Sequence, residues 1–174
     1  MISTDVLVIG AGMAGLTLAS KLKRQGKQVL CVDKARGSGG RLSSKRVQGS
    51  EYAVSFDLGA LSFTATTSQF EQVVKSWCDA GHVSSWLQHD GQIEYVGTPR
   101  SSSITRLLAD EVGVKFGVRI SAIVKGENTW SVYSETDGHE SLYAYANEIV
   151  LACPAPQTYD LLPQDHHFKA LLKN

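Results

Sequence analysis

A short apolar segment, a glycine-rich stretch and an amphipathic segment open the chain. Residues Val6–Ile9 are continuously apolar and mostly β-branched, a pattern typical of a strand that is buried on both faces of a parallel sheet. A helical pattern follows over about Ala14–Arg24 and ends at Gly26. A second buried strand is predicted over Gln28–Val32. The succession of strand, helix and strand predicts an α/β fold built on a parallel sheet.

Further periodic patterns predict the elements that follow. Ser68 and Glu71 have the spacing of a helix capping box, and the apolar positions after them predict a helix over about Gln69–Ala80. Two alternating segments flank Asp90-Gly91, a dipeptide that favours a tight hairpin turn. The other predicted elements are strands at about Tyr52–Phe56, Arg119–Lys125, Thr129–Glu135, Ser141–Tyr145 and Glu148–Ala152, a helix at Ile104–Glu111 with Ser103 as its N-cap, and an amphipathic helix over Asp165–Leu172.

Composition describes an ordinary globular protein. The chain has 174 residues, of which 43% are hydrophobic and 20% are charged, enough for one domain with a core, or for one domain and part of another. No apolar segment approaches the roughly 20 residues of a membrane span, and no basic leader precedes the first apolar segment. We therefore expect a cytoplasmic protein.

Three cysteines without a CxxC pair indicate neither a disulfide framework nor a zinc site.

Charge is unevenly distributed although the net charge is zero. Residues 1–50 contain nine Lys or Arg and two Asp, a local balance of +7, which leaves −7 for the rest of the chain. The cations of the first predicted helix fit a solvated helix face. Five others, which follow Asp33 in a loop, are candidates for phosphate contacts: Lys34, Arg36, Arg41, Lys45 and Arg46. We predict a small-molecule substrate and no nucleic-acid partner.

Three glycines between the first strand and helix carry the clearest functional pattern. Gly10 permits a tight turn, Gly12 lets a pyrophosphate approach the backbone, and Gly15 allows the helix to pack closely on the strand. The helix directs its N-terminal N–H groups at the phosphates. Asp33 ends the second strand eighteen residues after Gly15, where a carboxylate can bind the ribose hydroxyls of an adenosine. A glycine-rich turn without a ligand is the alternative, but the full succession of features predicts an adenine dinucleotide site.

Later segments extend this pattern into a family resemblance. Asp33–Arg46, which contains Gly39-Gly40-Arg41, resembles the renalase-like branch of the flavin-containing amine oxidase superfamily. Asp57–Ala60 is similar to a D-x-G-A segment of that superfamily, and Val96–Arg106 matches its VGxPxxSxITR pattern. The resemblance covers essentially the whole chain but only about the first half of the family pattern.

The resemblance implies non-covalently bound FAD. In that superfamily the acid that corresponds to Asp33 binds the adenosine ribose, and the Gly-Gly-Arg turn lies along the pyrophosphate and ribityl chain. The strand that ends in D-x-G-A approaches the flavin ring, and the residue matching Ile120 contacts adenine through its backbone. NAD dehydrogenases have no comparable Gly-Gly-Arg turn, which favours FAD over NAD. The predicted cofactor-binding residues are Gly10, Gly12, Met13, Ala14, Gly15, Asp33, Lys34, Arg36, Gly40, Arg41, Gly59, Ala60, Ile120 and Ala152.

The predicted architecture is a Rossmann-type FAD-binding parallel sheet with a β-meander on one face and an incomplete antiparallel substrate lobe. Residues 1–60 and 113–160 are assigned to a discontinuous FAD-binding domain, and residues 61–112 to part of a substrate domain. Residues 161–174 are interpreted as the start of a truncated segment, since the G-D-x(n)-E-x-A-x-x-S-G segment of the family is absent.

Three functional hypotheses follow. The first is an FAD-dependent oxidoreductase, and the resemblance implies that it oxidises a reduced nicotinamide-type compound or an amine with oxygen as acceptor. Because the flavin carries most of the chemistry in this family, no catalytic residue is assigned. The second is a non-catalytic nucleotide-binding fragment that exposes apolar surface and self-associates through it. The third, an NAD-binding dehydrogenase domain, is disfavoured by the Gly39-Gly40-Arg41 turn.

Overall fold

The computed structural model describes residues 1–47 and 54–172 and contains two compact units. The first unit combines Met1–Gly37 with the chain from Ala109 onward, and the second is Ser38–Leu108. The predicted strand over Tyr52–Phe56 lies partly outside the described residues.

Helices and strands follow one another in an alternating order in the first part of the chain and as a β-meander near its end. The elements are β1 (Ile2–Ile9), α1 (Met13–Arg24), β2 (Val29–Asp33), a 3-10 helix (Gly40–Leu42), β3 (Ser44–Arg46), β4 (Ser55–Asp57), β5 (Phe63–Thr64), α2 (Ser68–Asp79), β6 (Val83–His89), β7 (Gln92–Gly97), α3 (Ser102–Val112), β8 (Lys115–Phe116), β9 (Arg119–Lys125), β10 (Trp130–Thr136), β11 (His139–Leu151), α4 (Ala155–Leu161) and a second 3-10 helix (His167–Leu172).

A six-stranded sheet in the order β8-β2-β1-β11-β10-β9 forms the first unit. Strand β1 is parallel to both β2 and β11, and β2 is also parallel to β8. Strands β9, β10 and β11 are antiparallel. The predicted α/β fold with a Rossmann-type parallel sheet is confirmed.

Strand β11 joins the parallel and antiparallel parts of this sheet. Its first half pairs with β10 and its second half pairs with β1, and Ala144 and Ala146 have partners on both sides. The prediction of two separate strands, Ser141–Tyr145 and Glu148–Ala152, is therefore wrong. The prediction left residues 146 and 147 out of both strands, but a single strand continues through them.

The meander and the parallel strands share one buried cluster. Leu7 of β1 and Val32 of β2 pack in one buried cluster with Ile123 of β9 and Val132 of β10. Side chains alternate between the faces of a strand, so the neighbours of Leu7 point to the other face, where α1 buries Leu16. Burying each such aliphatic side chain stabilises the fold by ~1.5–3 kcal/mol. Helix and meander thus hold β1 between two apolar layers.

A three-stranded antiparallel sheet in the order β5-β7-β6 and helix α2 belong to the second unit. The hairpin around Asp90-Gly91 is confirmed. The N-cap of α2 is Thr67, whose Oγ1 accepts a hydrogen bond from Phe70 N–H at 3.3 Å. The predicted cap at Ser68 is therefore wrong, because Thr67 has the extended backbone that a cap requires and Ser68 is already helical.

One carboxylate connects three segments of the second unit. Asp57 accepts hydrogen bonds from Ser44 Oγ at 2.6 Å and from Ser101 Oγ at 2.9 Å, and the backbone N–H of Ser101 also donates to it. Burial raises the pKa of Asp57, but the hydrogen bonds from Ser44 and Ser101 and the nearby Arg100 outweigh it, so the pKa lies below its ordinary value. The carboxylate stands at the start of α3, and the predicted cap Ser103 lies inside that helix.

The end of the described chain differs from its prediction. Helix α4 was not predicted, although Pro156 in its first turn is a residue favoured at helix starts. The amphipathic helix predicted from Asp165 is instead a 3-10 helix over His167–Leu172. Among the described residues, no helix is both long and apolar enough to cross a membrane.

The packing of the meander on the parallel strands predicts a sharp contrast between two neighbours on β9. Ile123 is 6% exposed and Val124 is 52% exposed. Ile123→Ala should lower the free energy of unfolding by about 2–5 kcal/mol, because it leaves a cavity in the buried cluster. Val124→Ala should change it by less than about 0.5 kcal/mol. Chemical denaturation followed by circular dichroism measures both, and equal losses would contradict the packing.

The Asp57 network predicts a pH-dependent loss of stability. Since the pKa of Asp57 is lower in the folded chain than in the unfolded one, the network stabilises the fold above about pH 4 and loses this contribution as the pH falls through the lowered value. Asp57→Asn should cost roughly 1–3 kcal/mol at pH 7, and the difference from the wild type should shrink towards pH 3. Denaturation curves at several pH values test this. A difference that does not vary with pH would refute the role of the charge.

Candidate dinucleotide site

The carboxyl ends of β1, β2 and β11 meet at the turn that follows β1. Gly10 N–H donates to Val32 O at 2.9 Å, and Ala152 N–H donates to Ile9 O at 2.9 Å. The turn is thus bonded to the strand on each side of β1. In open parallel sheets, ligands bind in the crevice outside the carboxyl ends of the strands, so the turn lies where such a ligand would.

Two glycines of this turn leave no room for a side chain. Gly10 has a φ of +115°, and a Cβ there would lie 2.8 Å from Ala152 O. A Cβ on Gly15 would overlap Gly10 O. Helix α1 therefore packs directly on the turn, and its first residues are fixed against the ends of β1 and β11.

Gly12 differs from both, because a Cβ there would have no protein atom within 4 Å. Gly12 is also the N-cap of α1, and neither a side chain nor an acidic residue of the first turn satisfies that helix end. The N–H groups of Met13, Ala14 and Gly15 have no acceptor within the helix. An open space beside backbone N–H groups at a helix N-terminus fits a phosphate or pyrophosphate. These residues therefore fit the group that the sequence predicts.

The Asp33 carboxylate lies at the end of β2 and accepts two backbone hydrogen bonds. Its Oδ2 accepts from Ala11 N–H at 2.6 Å, and its Oδ1 accepts from Ala35 N–H at 2.8 Å. Each carboxylate oxygen has a second lone pair, so ribose hydroxyls can still donate to it. The sequence predicted the acid but not its bond to Ala11.

The remaining predicted residues of the first unit occupy different surroundings. Lys34 and Arg36 have exposed side chains in the loop after β2, and Ala152 lies beside Gly10 and Gly15. Ile120 belongs to β9, and its side chain is 8% exposed in the cluster that covers the parallel strands. Its side chain is thus part of the core, and its predicted adenine contact concerns only its backbone.

Cys31 lies two residues before Asp33 on β2. Burial, and to a smaller extent the charge of Asp33, raises the pKa of the Cys31 thiol to about 12. The thiol stays protonated at neutral pH, and a protonated thiol is a poor nucleophile. Cys31 therefore contributes packing beneath the site. Within residues 1–47 and 54–172, no cluster of three or more His, Cys, Asp or Glu could hold a metal ion.

Four predicted residues come together in the second unit. Gly40 and Arg41 lie in the first 3-10 helix, and Ala60 N–H donates to Arg41 O at 2.8 Å. A Cβ on Gly59 would overlap Arg41 O. The Gly-Gly-Arg turn and the Gly59-Ala60 segment therefore pack backbone against backbone. Arg41 itself is an exposed residue.

The hydrogen bonds of Asp57 to Ser44 and Ser101 hold the Gly-Gly-Arg turn and the Gly59-Ala60 segment in place. The sequence analysis did not predict these bonds. Ser44 follows the Gly-Gly-Arg turn, Asp57 precedes Gly59, and Ser101 Oγ also donates to Ala60 O at 3.2 Å. The available signal was an aspartate between the apolar residues Phe56 and Leu58, because an acid in such a place needs hydrogen-bond donors.

Part of the chain is similar to a described domain. Residues 8–79 match the profile of the NAD(P)-binding Rossmann-like domain. The chain is 36% identical over 101 residues to the protein AofH of Mycobacterium tuberculosis, which bears the name of a flavin-containing monoamine oxidase. That alignment covers 57% of this chain and 21% of AofH. The matched part thus spans about a fifth of the relative.

Solved structures share the fold at low sequence identity. The structure of BexE superposes with a TM-score of 0.61 at 19% identity and covers 88% of this chain and 32% of BexE. The p-nitrophenol 4-monooxygenase PnpA of Pseudomonas putida DLL-E4 gives a TM-score of 0.62 at 12% identity, over 90% of this chain and 42% of that enzyme.

The profile match and the geometry of the β1–α1–β2 turn agree on the same residues. Residues 8–79 match the profile of the NAD(P)-binding Rossmann-like domain, and the glycine turn within them leads into a helix N-terminus with no side-chain cap and with open space beside Gly12. The chain is thus similar to oxidoreductases that use a flavin or nicotinamide dinucleotide as cofactor.

Proposed function

We propose that this chain is the FAD-binding part of an FAD-dependent oxidoreductase of the renalase or amine oxidase type. In this proposal, the whole enzyme oxidises a reduced nicotinamide-type compound or an amine and passes the electrons to oxygen. FAD is bound non-covalently. The predicted domain boundaries, with residues 1–60 and 113–160 around the cofactor and residues 61–112 towards the substrate, belong to the same proposal.

The observation that carries the proposal is the contrast among the glycines of the first turn. Gly10 and Gly15 are required by close packing within the protein, whereas the space beside Gly12 is open. Packing alone therefore explains two of the three glycines and not the third. A pyrophosphate that approaches the backbone at Gly12 and the N-terminus of α1 supplies the missing reason.

Two further features support FAD rather than NAD. The second unit contains a Gly-Gly-Arg turn packed on Gly59-Ala60. NAD dehydrogenases have no comparable turn. AofH, the relative that is 36% identical over 101 residues, is named for a flavin.

The residues of this chain bind and orient the cofactor in this proposal. Asp33 accepts hydrogen bonds from the adenosine ribose, and the first-turn N–H groups of α1 bind the pyrophosphate. Arg41 contributes positive charge for a phosphate. Bound FAD supplies hydride acceptance and electron transfer to oxygen. Hence no side chain of this chain is assigned a catalytic role.

A second candidate is a nucleotide-binding fragment without turnover. Phe56, Leu58 and Leu61 are 57%, 62% and 59% exposed, and they flank the predicted flavin-facing residues Gly59 and Ala60 in the sequence. Exposed apolar side chains next to one another favour association. The second candidate predicts concentration-dependent self-association in sedimentation velocity and no reduction of bound flavin by an amine or a dihydronicotinamide. Flavin that either donor bleaches under anaerobic conditions would exclude it.

The proposed pyrophosphate position predicts opposite results for two glycine variants. Gly12→Ala should lower thermal stability only slightly, because alanine is a poorer N-cap than glycine, while the backbone there (φ −82°, ψ 178°) suits any residue and the added methyl enters open space. It should weaken FAD binding by roughly tenfold or more, since the methyl occupies the space of the pyrophosphate. Isothermal titration calorimetry and thermal unfolding give the two readouts.

Gly15→Ala is the matched control. Its Cβ would overlap Gly10 O, so thermal stability itself should fall. If Gly12→Ala binds FAD as tightly as the wild type does, the pyrophosphate does not lie at this turn.

A further inference from the structure

The Asp33 side chain is hydrogen-bonded to the glycine turn that follows β1. The parallel ladder between β1 and β2 ends with the pair Ile9 and Val32. Gly10 N–H still finds a backbone acceptor in Val32 O. The next N–H, that of Ala11, donates to the Asp33 carboxylate at 2.6 Å. The side chain therefore continues the ladder by one hydrogen bond beyond the strand, into the glycine turn.

Asp33 is also bonded to the chain that follows β2 and to the chain that follows β8. Its second carboxylate oxygen accepts from Ala35 N–H at 2.8 Å, while the Asp33 carbonyl accepts from Val118 N–H at 3.0 Å. Gly117 N–H donates to Ala35 O at 2.9 Å. Asp33 is thus bonded to the turn after β1, the turn after β2 and the segment after β8.

We propose that Asp33 is a positioning residue that presets the glycine turn for a pyrophosphate before any ligand binds. This inference rests on the proposed dinucleotide site and adds a role that is separate from a ribose contact. Ala11 is fully buried, so its N–H has no access to water and needs this acceptor. A turn held in its binding conformation loses less conformational entropy when the ligand arrives.

The chemistry of Asp33→Asn separates the two roles. A carboxylate can accept from two N–H groups at once, whereas an amide accepts only through its oxygen. In Asp33→Asn, the amide nitrogen therefore faces either Ala11 N–H or Ala35 N–H, donor against donor. A matched control lies at the other end of the β1–β2 ladder, where Asp5 Oδ2 accepts from Gln28 N–H at 2.9 Å. Asp5→Asn makes the same chemical change away from the turn.

Amide hydrogen exchange of the chain without ligand tests the proposal directly. In Asp33→Asn, the Ala11 or Ala35 amide should exchange roughly tenfold faster than in the wild type, relative to the Val8 amide of the β1 ladder. In Asp5→Asn, both ratios should stay at their wild-type values. Unchanged ratios in Asp33→Asn would overturn the proposal.

Binding of ADP and of inorganic pyrophosphate separates the turn from the ribose. Asp33→Asn should weaken both ligands by roughly tenfold, because pyrophosphate lacks a ribose and depends on the turn alone. If only ADP is weakened, Asp33 acts through the ribose and the proposal is wrong. If the wild type binds neither ligand, the proposed function fails, and the exchange ratios still decide the role of Asp33.

Should Asp33→Asn fail to fold, the wild type itself provides a readout. The nuclear spin coupling between the Ala11 amide nitrogen and the Asp33 carboxylate carbon across their hydrogen bond should be measurable in the chain without ligand. Its absence, in spectra that show such couplings between β1 and β2, would overturn the proposal.

Discussion

The close approach of three backbone segments at Gly10 is the constraint on which the rest of the first unit depends. Gly10 lies against Ala152 O at the end of β11 and donates to Val32 O at the end of β2, while Gly15 of α1 packs on its carbonyl. Because Gly10 and Gly15 have no side chains, the ends of β2 and β11 and the start of α1 can approach one another at this turn. Convergence places the first N–H groups of α1 beside the open space at Gly12, and such a helix N-terminus can bind an anion.

Strand β11 extends that constraint to the whole sheet. It is parallel to β1 at one end and antiparallel to β10 at the other, and residues near its middle pair on both sides. The meander therefore cannot separate from the parallel strands without breaking this shared strand, and Ile123 and Val132 bury the face that α1 leaves open. The position of the glycine turn and the packing of the core thus depend on the same strand.

Local features were predictable, and features that depend on distant partners were not. The glycine turn could be predicted because a positive φ at Gly10 and the packing at Gly15 tolerate only glycine. The continuity of β11 could not, since it depends on pairing with β10 on one side and, on the other, with β1 at the far end of the sequence. The Asp57 network joins Ser44 to Ser101 across 57 positions of sequence, and no local pattern indicates such bonds. Likewise, the acid at Asp33 was predictable but its bond to Ala11 was not.

The most direct test of the account is whether the purified chain holds FAD. The chain would be mixed with excess FAD, freed from unbound flavin by gel filtration, and its visible absorption spectrum recorded. We expect flavin to elute with the protein and excess ADP to displace it, because both ligands need the glycine turn. Elution without flavin, at protein concentrations where the chain is folded, would contradict the assignment of this turn to FAD.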